Sequence, residues 1–525
     1  MTPGAAAMWA RPVPPVAVVT VMVIVMAMVT AGTGLGWAAA PRPPEPSLAQ
    51  LDEEFREAAA DLVRRSRQAG NDELATLIGG WNLPEAKGRQ TALLIPAAIA
   101  RPAAVTTAAE QSIWDDFLAA RKARAARVFA HAVWEAGRHD RRLSRAELTQ
   151  VAIEPPVAVE QRSCEVIRLT YLTLRDDPGH TRAREAAGWV RRGERWEWPA
   201  AARRLDRGDA YDTTFGWMPK SRLTRVRAGE RYVAGRWVRG GEDPPPADIN
   251  RGRQFDSDHW EIVSTAARPA TAELAVMLET TRLIWLQVFG GFALEPADLE
   301  RRLAGRGRLQ PEPPHSAILC SSRDQYLNEL GRFEPQVSIS EGLYWQPTRT
   351  IWCYAAPTLA AGDTVRHEAT HQLFAESRPD IVRMRSEPGR RCGFWAVEAA
   401  ALYAESIREV SFGWTIGGRD RGRCPAARQW LVTGEFFLPL IQLAALSREE
   451  FQADSRIDKL YDQCGGLADF FMNAHGGRYR EPFVEYLVRV YSGTAQPDSL
   501  FRLCDRSGLD LDAEYREFIT AAAAE

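Results

Sequence analysis

The chain has 525 residues, of which 45% are hydrophobic and 26% are charged. This composition excludes a disordered or fibrous protein, and the length predicts several packed units, since a single core seldom extends beyond about 300 residues. The 66 Lys and Arg residues nearly balance the 68 Asp and Glu residues, so the net charge gives no reason to expect a nucleic-acid partner.

The first 40 residues predict export. Arg11 is the only charged residue before a long uncharged stretch that contains the apolar run Val16–Val29. This pattern is typical of a secretory signal segment, and the small residues Ala38–Ala40 favour cleavage nearby. The alternative is an uncleaved membrane anchor through residues 12–41. We therefore expect residues 1–40 to be a signal peptide or anchor, and the mature chain to be periplasmic, in the cell envelope or extracellular.

Seven cysteines occur in this chain. An exported protein enters an environment in which disulfide bonds can form. The chain has no CxxC pair, so neither a thiolate zinc site nor a redox pair is predicted. We expect up to three disulfide bridges in the C-terminal half, with Cys164 free and buried.

Two helical regions follow the export segment. Residues 41–110 predict a short helical region, because apolar residues recur with helical spacing in Leu48–Gln68. Residues 111–190 resemble one or two tetratricopeptide-like hairpins, although no second copy is found at the period of about 34 residues typical of such repeats. We expect this part to be a helical spacer or, alternatively, a surface for a protein partner.

Residues 191–253 form a Trp- and Arg-rich β module followed by a Pro-rich linker. Positions 191–240 contain 13 basic and 6 acidic residues. Basic residues among aromatic ones could bind nucleic acid or an acidic polymer, but tryptophans also form the core of small sheets, and the second interpretation is favoured. Pro244–Pro246 then mark the boundary before the last domain, residues 254–525.

The predicted elements of residues 254–525 are strand HWEIVST, a long helix through AELAVMLETTRLIWLQVF, strand HSAILCS, a short helix, a strand pair in SEGLYWQPTRTIWCY, and the helix TVRHEATHQLF. This order predicts the α+β class. Asp363 is expected to cap the last helix. His367 and His371 lie four residues apart there, so both imidazoles can reach one metal ion at about 2.0 to 2.1 Å. Glu368 between them can take a proton from a water molecule.

A third ligand is expected from the next helix, GFWAVEAAALYAES. Phe374 and Ser377 occupy positions that would be Gly and His in a metzincin, which excludes that class. Glu398 lies in the apolar first half of the helix, where an unpaired carboxylate would cost several kcal/mol. Two His and one Glu with an open fourth position are typical of catalytic zinc. Glu405 and Glu376 are alternative ligands, and the apolar surroundings favour Glu398.

HEATHQLF followed by FWAVEAAALYAES resembles the gluzincin arrangement, and in particular a family of metallopeptidases of unknown function abundant in planctomycete bacteria. GLYWQPTRTIWCY is similar to that family's edge strand, and the similarity covers roughly residues 165–525. The resemblance implies a zincin-like domain with a mixed sheet, an HExxH helix and a helical C-terminal subdomain. It also implies His367, His371 and Glu398 as Zn²⁺ ligands and Glu368 as general base. Ala399 stands where that family usually has Gly.

A peptidase also needs a donor that stabilises the oxyanion. Tyr461, Tyr403 and His475 are the candidates, and Tyr461 is preferred because gluzincins commonly bring such a group from a helix after the third ligand. The expected function is that of an exported zinc-dependent metallopeptidase acting on peptides or proteins. The alternatives are a catalytically silent zincin-fold scaffold of the cell envelope, and hydrolysis of a non-peptide amide.

Overall fold

The structure is a computed structural model, which describes residues 44, 46–83, 88–137, 162–233, 236–239, 244–307, 309–334, 340–355, 359–380, 382 and 387–521. The predicted signal or anchor segment, residues 1–40, lies outside the described residues. The described residues from Pro46 onward form one compact unit. None of the helices in the described ranges is both long and apolar enough to span a bilayer.

The described chain is mixed α+β and begins with helices. These are α1 (Leu48–Gln68), α2 (Asp72–Gly79), α3 (Ala108–Ala136), α4 (Ser163–Asp176) and α5 (Thr181–Ala186). A capping box at Ser47 starts α1, which buries apolar side chains at helical spacing. Between these helices, Trp81 packs against the guanidinium groups of Arg121 and Arg175, at 3.6 and 4.5 Å from its ring centroid. This first part of the described chain is therefore a packed group of helices.

A repeated hairpin–helix unit follows. Its elements are β2 (Val190–Arg192), β3 (Arg195–Glu197), α6 (Pro199–Asp206), β4 (Asp209–Asp212), β5 (Gly216–Pro219), α7 (Lys220–Arg227), β6 (Glu230–Val233) and β7 (Arg236–Arg239). The second strand of each hairpin carries Trp196, Trp217 or Trp237, at intervals of 21 and 20 residues. Tyr211 and Tyr232 lie directly opposite the last two. We call Val190–Arg239 the hairpin–helix array.

Two consecutive units of the array contain the same ion pair with its charges exchanged. Arg192 in β2 donates from Nε to Oδ1 of Asp206 at the end of α6, at 2.9 Å. In the next unit, Arg227 at the end of α7 donates from Nε to Oδ2 of Asp212 in β4, at 2.7 Å. Matching positions with opposite charges indicate two copies of one motif of about 21 residues.

The largest sheet has five strands, in the order β11-β12-β10-β9-β8. They are β8 (Arg253–Asp256), β9 (Trp260–Ser264), β10 (His315–Cys320), β11 (Gly342–Trp345) and β12 (Thr350–Tyr354). The three central strands are parallel, and the edge strands β8 and β11 run antiparallel to their neighbours. The strands predicted in HWEIVST, HSAILCS and SEGLYWQPTRTIWCY are therefore confirmed.

Helices that accompany this sheet are α8 (Arg268–Ala293), α9 (Pro296–Leu303), α10 (Arg323–Leu330), α11 (Leu359–Ser377) and α12 (Phe394–Glu405). The rings of Trp285 and Phe292 in α8 pack edge-on against Phe374 in α11, with centroids 5.2 and 4.7 Å apart. The expected cap at Asp363 is wrong, because α11 begins four residues earlier. The Asp363 carboxylate instead accepts from Arg366, one turn further along α11, at 2.9 Å.

The C-terminal part contains two short strands, β13 (Arg408–Val410) and β14 (Gly413–Ile416), followed by helices. The helices are α13 (Cys424–Thr433), α14 (Leu440–Ala445), α15 (Arg448–Ala453), α16 (Ile457–Asn473), α17 (Arg480–Ser492), α18 (Ser499–Cys504) and α19 (Gly508–Thr520). An N-terminal strand, β1 (Gln90–Leu93), pairs antiparallel with β14. The side-chain amide of Gln287 in α8 bonds both backbone groups of Leu93. The N-terminal group of helices is therefore joined to the rest of the unit by hydrogen bonds.

The expected disulfide bridges do not form, since all seven cysteines are free and buried. Cys320 and Cys353 lie on the neighbouring strands β10 and β12, but they are not a register pair: Cys320 faces Tyr354, and Cys353 faces Leu319. Successive side chains point to opposite faces of a sheet, so the two thiols enter different apolar clusters. The prediction that Cys164 is free and buried is confirmed.

Candidate metal centre

Three side chains from two helices meet at one point. His367 and His371 lie on the same face of α11, and Glu398 projects from α12. The two Nε2 atoms are 3.1 Å apart. Oε2 of Glu398 is 3.5 Å from Nε2 of His367 and 3.7 Å from Nε2 of His371. Within the described residues, this is the one group of three or more His, Cys, Asp or Glu side chains close enough to share a metal ion.

These separations fit a tetrahedral metal ion. Ligand bonds of about 2.0 to 2.2 Å place the ligand atoms of a tetrahedral site about 3.3 to 3.6 Å apart. The observed triangle has sides of 3.1, 3.5 and 3.7 Å. Two imidazoles and one carboxylate leave one position open, as in catalytic rather than structural zinc sites. The donor set therefore fits Zn²⁺.

Glu405 supports one of these side chains. Its Oε1 lies 2.9 Å from Nδ1 of His367. Because an ionised carboxylate can only accept, Nδ1 carries a proton, which leaves Nε2 as the ring atom that would bind a metal ion. Glu405 was an alternative ligand in the sequence interpretation. It contacts the far side of the imidazole and is not one of the three converging side chains.

The side chains around this point favour a positive charge. Burial acts to lower the pKa of His367, but hydrogen bonds to Glu398 and Glu405 outweigh it and raise the pKa to about 10. Burial acts to raise the pKa of Glu398, and the charges and hydrogen bonds of His371 and His367 hold it well below its usual range. A cation bound among these side chains would be stabilised by the same carboxylates.

Glu368 lies beside the group and points to the edge of the sheet. Its Oε2 accepts a hydrogen bond from the backbone amide of Tyr344 in β11, at 2.6 Å. Burial raises its pKa, and the neighbouring His367 and His371 oppose that effect. A buried carboxylate with a raised pKa is a suitable general base near neutral pH.

Glu376, the other alternative ligand, belongs to a separate buried cluster. It lies two turns beyond Glu368 on α11. Its oxygens contact Nδ1 of His315 at 2.7 Å, the hydroxyl of Tyr344 at 3.1 Å and the guanidinium of Arg349 at 3.2 Å. These partners account for its charge without a metal ion.

Tyr461, the preferred oxyanion donor, lies in α16, which packs against α12, the helix that carries Glu398. Burial raises the pKa of Tyr461, and the negative charges of Glu398 and Glu368 raise it further. Its ring packs edge-on against Phe451, with centroids 5.6 Å apart. A tyrosine hydroxyl with a raised pKa keeps its proton, so Tyr461 can donate a hydrogen bond.

The other two candidates have partners elsewhere. The Tyr403 hydroxyl accepts from Gln90 and Asn473, each at 3.0 Å. Nε2 of His475 is paired with Glu514 at 3.0 Å, and the side chain is about half exposed. Neither residue is brought to the three converging side chains.

Two glycines permit close contacts in this part of the structure. Gly393, which precedes α12, has φ of +79°, and a Cβ there would lie 2.6 Å from the hydroxyl of Tyr486. At Gly342 in β11, a Cβ would lie 2.9 Å from Cγ2 of Thr364 in α11. Any other residue would push the strand away from the helix that carries Glu368.

Sequence reasoning missed Tyr344 and Gly342, and it considered Glu405 only as an alternative ligand. A Gly just inside the predicted edge strand was the one available indication of a close approach. Comparison of the chain with models of protein families, with curated proteins and with solved structures finds no match.

Proposed function

We propose that the protein is an exported zinc-dependent metallopeptidase of the gluzincin type, which hydrolyses peptide bonds. The observation that carries the proposal is the convergence of His367, His371 and Glu398 at 3.1 to 3.7 Å, with Glu368 beside them. The ligand set, the open position and the adjacent carboxylate are the parts that zinc-dependent hydrolysis requires.

The surrounding architecture supports a zincin-like domain. The antiparallel edge strand β11 lies directly beside the HExxH helix, and the helix with the third ligand follows in the chain. This is the order that the sequence resemblance implies, with a helical subdomain after the ligands. Export rests on the sequence of residues 1–40 and is part of the proposal.

Each side chain has a role that follows from its surroundings. When bound, zinc supplies a Lewis acid that polarises the scissile carbonyl and makes water more acidic. Glu368 takes a proton from the attacking water and returns it to the leaving amine. The Tyr461 hydroxyl donates to the developing oxyanion, a contribution of about 2.7 to 4 kcal/mol in comparable sites.

The test is hydrolysis of a mixed peptide library by the full chain supplied with zinc, followed by mass spectrometry. We expect Glu368→Gln to keep its zinc and to lose about 10² to 10⁴ in kcat. Tyr461→Phe should also keep its zinc and lose about 10² to 10³ in kcat. Tyr479→Phe, which removes a buried hydroxyl bound to Glu514 at 2.7 Å, is the control that should leave activity unchanged.

Other results would identify the alternatives. Normal zinc binding without turnover of any peptide would favour the catalytically silent scaffold, and release of a small amine from non-peptide amides alone would favour an amidase. Absence of zinc binding contradicts all three zinc-based interpretations.

A further inference from the structure

Tyr344 joins the edge strand to the HExxH helix at two separate points. Its backbone amide donates to Oε2 of Glu368 at 2.6 Å, and its hydroxyl donates to Oε1 of Glu376 at 3.1 Å. The two carboxylates are eight residues apart, which is about 12 Å along the helix axis. One residue of β11 is therefore hydrogen-bonded to two carboxylates of α11.

The second of these points, the Glu376 carboxylate, is held by several partners. The Glu376 side chain is 5% exposed and also contacts Nδ1 of His315 at 2.7 Å and Nη2 of Arg349 at 3.2 Å. Charge-assisted bonds from several directions fix a buried carboxylate in one position. The Tyr344 hydroxyl is thus attached to a group that has little freedom to move.

β11 is the edge strand of its sheet, and among the described strands it pairs only with β12. Its free edge lies against α11, where a Cβ on Gly342 would lie 3.6 Å from Cγ of Glu368. The position of the Tyr344 amide relative to Glu368 therefore depends on how the strand is attached to α11.

We propose that Tyr344 is a positioning residue for the general base, an inference that rests on the proposed function. Its amide holds Oε2 of Glu368, which leaves Oε1 to take the proton from water. Its hydroxyl, anchored on Glu376, keeps that amide in place. The bond from Tyr344 to Glu376 thus acts on the reaction through Glu368, without contact with the reacting atoms.

The chain provides a matched control for this arrangement. The Tyr479 hydroxyl bonds Glu514 at 2.7 Å. Glu514 in turn contacts His475 at 3.0 Å and Arg506 at 3.4 Å. The Tyr, Glu, His and Arg combination is the same as around Tyr344, but it lies in the C-terminal helices and has no bond to Glu368.

The first measurement is the steady-state kinetics of Tyr344→Phe and Tyr479→Phe as full chains loaded with zinc. Misplacing a general base lowers the rate of the chemical step more than it changes substrate binding. We expect Tyr344→Phe to lose about tenfold in kcat, with KM and zinc content unchanged. Tyr479→Phe should stay within about twofold of the wild type.

The second measurement does not depend on activity. Hydrogen exchange by mass spectrometry over Gly342–Trp345 reports the amide bond to Glu368 directly. We expect Tyr344→Phe to speed exchange of this segment about tenfold, and Tyr479→Phe to leave it unchanged. If Tyr344→Phe does not fold, Glu376→Gln is measured instead. This change weakens the hydrogen bond from the Tyr344 hydroxyl and changes the shape of the side chain little.

The outcomes separate this inference from the proposed function. An active wild type with unchanged kcat in Tyr344→Phe overturns the positioning role alone. A fall in kcat that comes with lost zinc or a raised KM also overturns it, because the effect is then structural. A wild type that is no more active than Glu368→Gln overturns the proposed function itself, and with it the positioning role.

Discussion

The hairpin–helix array and the candidate metal centre both contain charged side chains, but the surroundings of these side chains differ. In the array, the Arg192 and Asp206 side chains are 46% and 67% exposed. The next unit has the contact with the charges exchanged, although its Asp212 is 12% exposed and also accepts from the backbone amides of Thr214 and Phe215. In the metal centre, the Glu398 side chain is 8% exposed, and its oxygen lies within 3.7 Å of two imidazole nitrogens.

The difference shows which contacts depend on residue identity. An exposed ion pair contributes about 0 to 1 kcal/mol and requires only opposite charges at a suitable distance. A metal centre requires lone pairs of given atoms at given separations, and burial makes any mismatch costly. The array therefore tolerates exchanged charges, whereas in the metal centre even an isosteric change should have a large effect.

The larger predicted effect is that of Glu405→Gln in the metal centre. This change keeps the shape of the side chain but removes the charge that holds the proton on Nδ1 of His367. Loss of such a supporting carboxylate typically weakens zinc binding about 10- to 100-fold. Competition with a chelator at fixed pH measures it, and a zinc affinity within about twofold of the wild type would show that Glu405 has no supporting role.

The smaller predicted effect is in the array. Exchanging the charges of its first ion pair, with Arg192→Asp and Asp206→Arg together, gives the arrangement already present in the second unit. We expect each single substitution to lower the midpoint of thermal unfolding by about 1 to 2 °C, because like charges then face each other. The double variant should recover to within about 0.5 °C of the wild type.

This prediction has a simple control. Arg191→Asp with Asp206→Arg changes the same number of charges, but Arg191 pairs with Glu194 instead. The thermal midpoint of Arg192→Asp with Asp206→Arg should be higher than that of Arg191→Asp with Asp206→Arg. If it is not, the two units do not share an equivalent contact.

Much of the metal centre could be predicted from the sequence. Spacing alone places His367 and His371 on one helix face, because residues four apart are neighbours there. Glu398 could be selected because a lone carboxylate in a helix of apolar residues needs a partner. The structure brings these three side chains together.

What could not be predicted depends on tertiary packing. Glu405 lies two turns beyond Glu398, so spacing cannot tell whether its carboxylate faces the metal or the far nitrogen of His367. The contact of Tyr344 with Glu368 and Glu376 depends on how the strand lies against the helix, which no local pattern encodes. The array repeat could have been found from its tryptophans, which recur every 20 or 21 residues, but residue-by-residue comparison scores the exchanged ion pair as two mismatches.

The decisive experiment is zinc-edge X-ray absorption on the full chain loaded with one equivalent of zinc. We expect two imidazole nitrogens and carboxylate or water oxygens at about 2.0 to 2.2 Å, with no sulfur, and loss of this coordination in Glu398→Ala. A sulfur ligand, unchanged coordination in Glu398→Ala, or failure to bind zinc would contradict it.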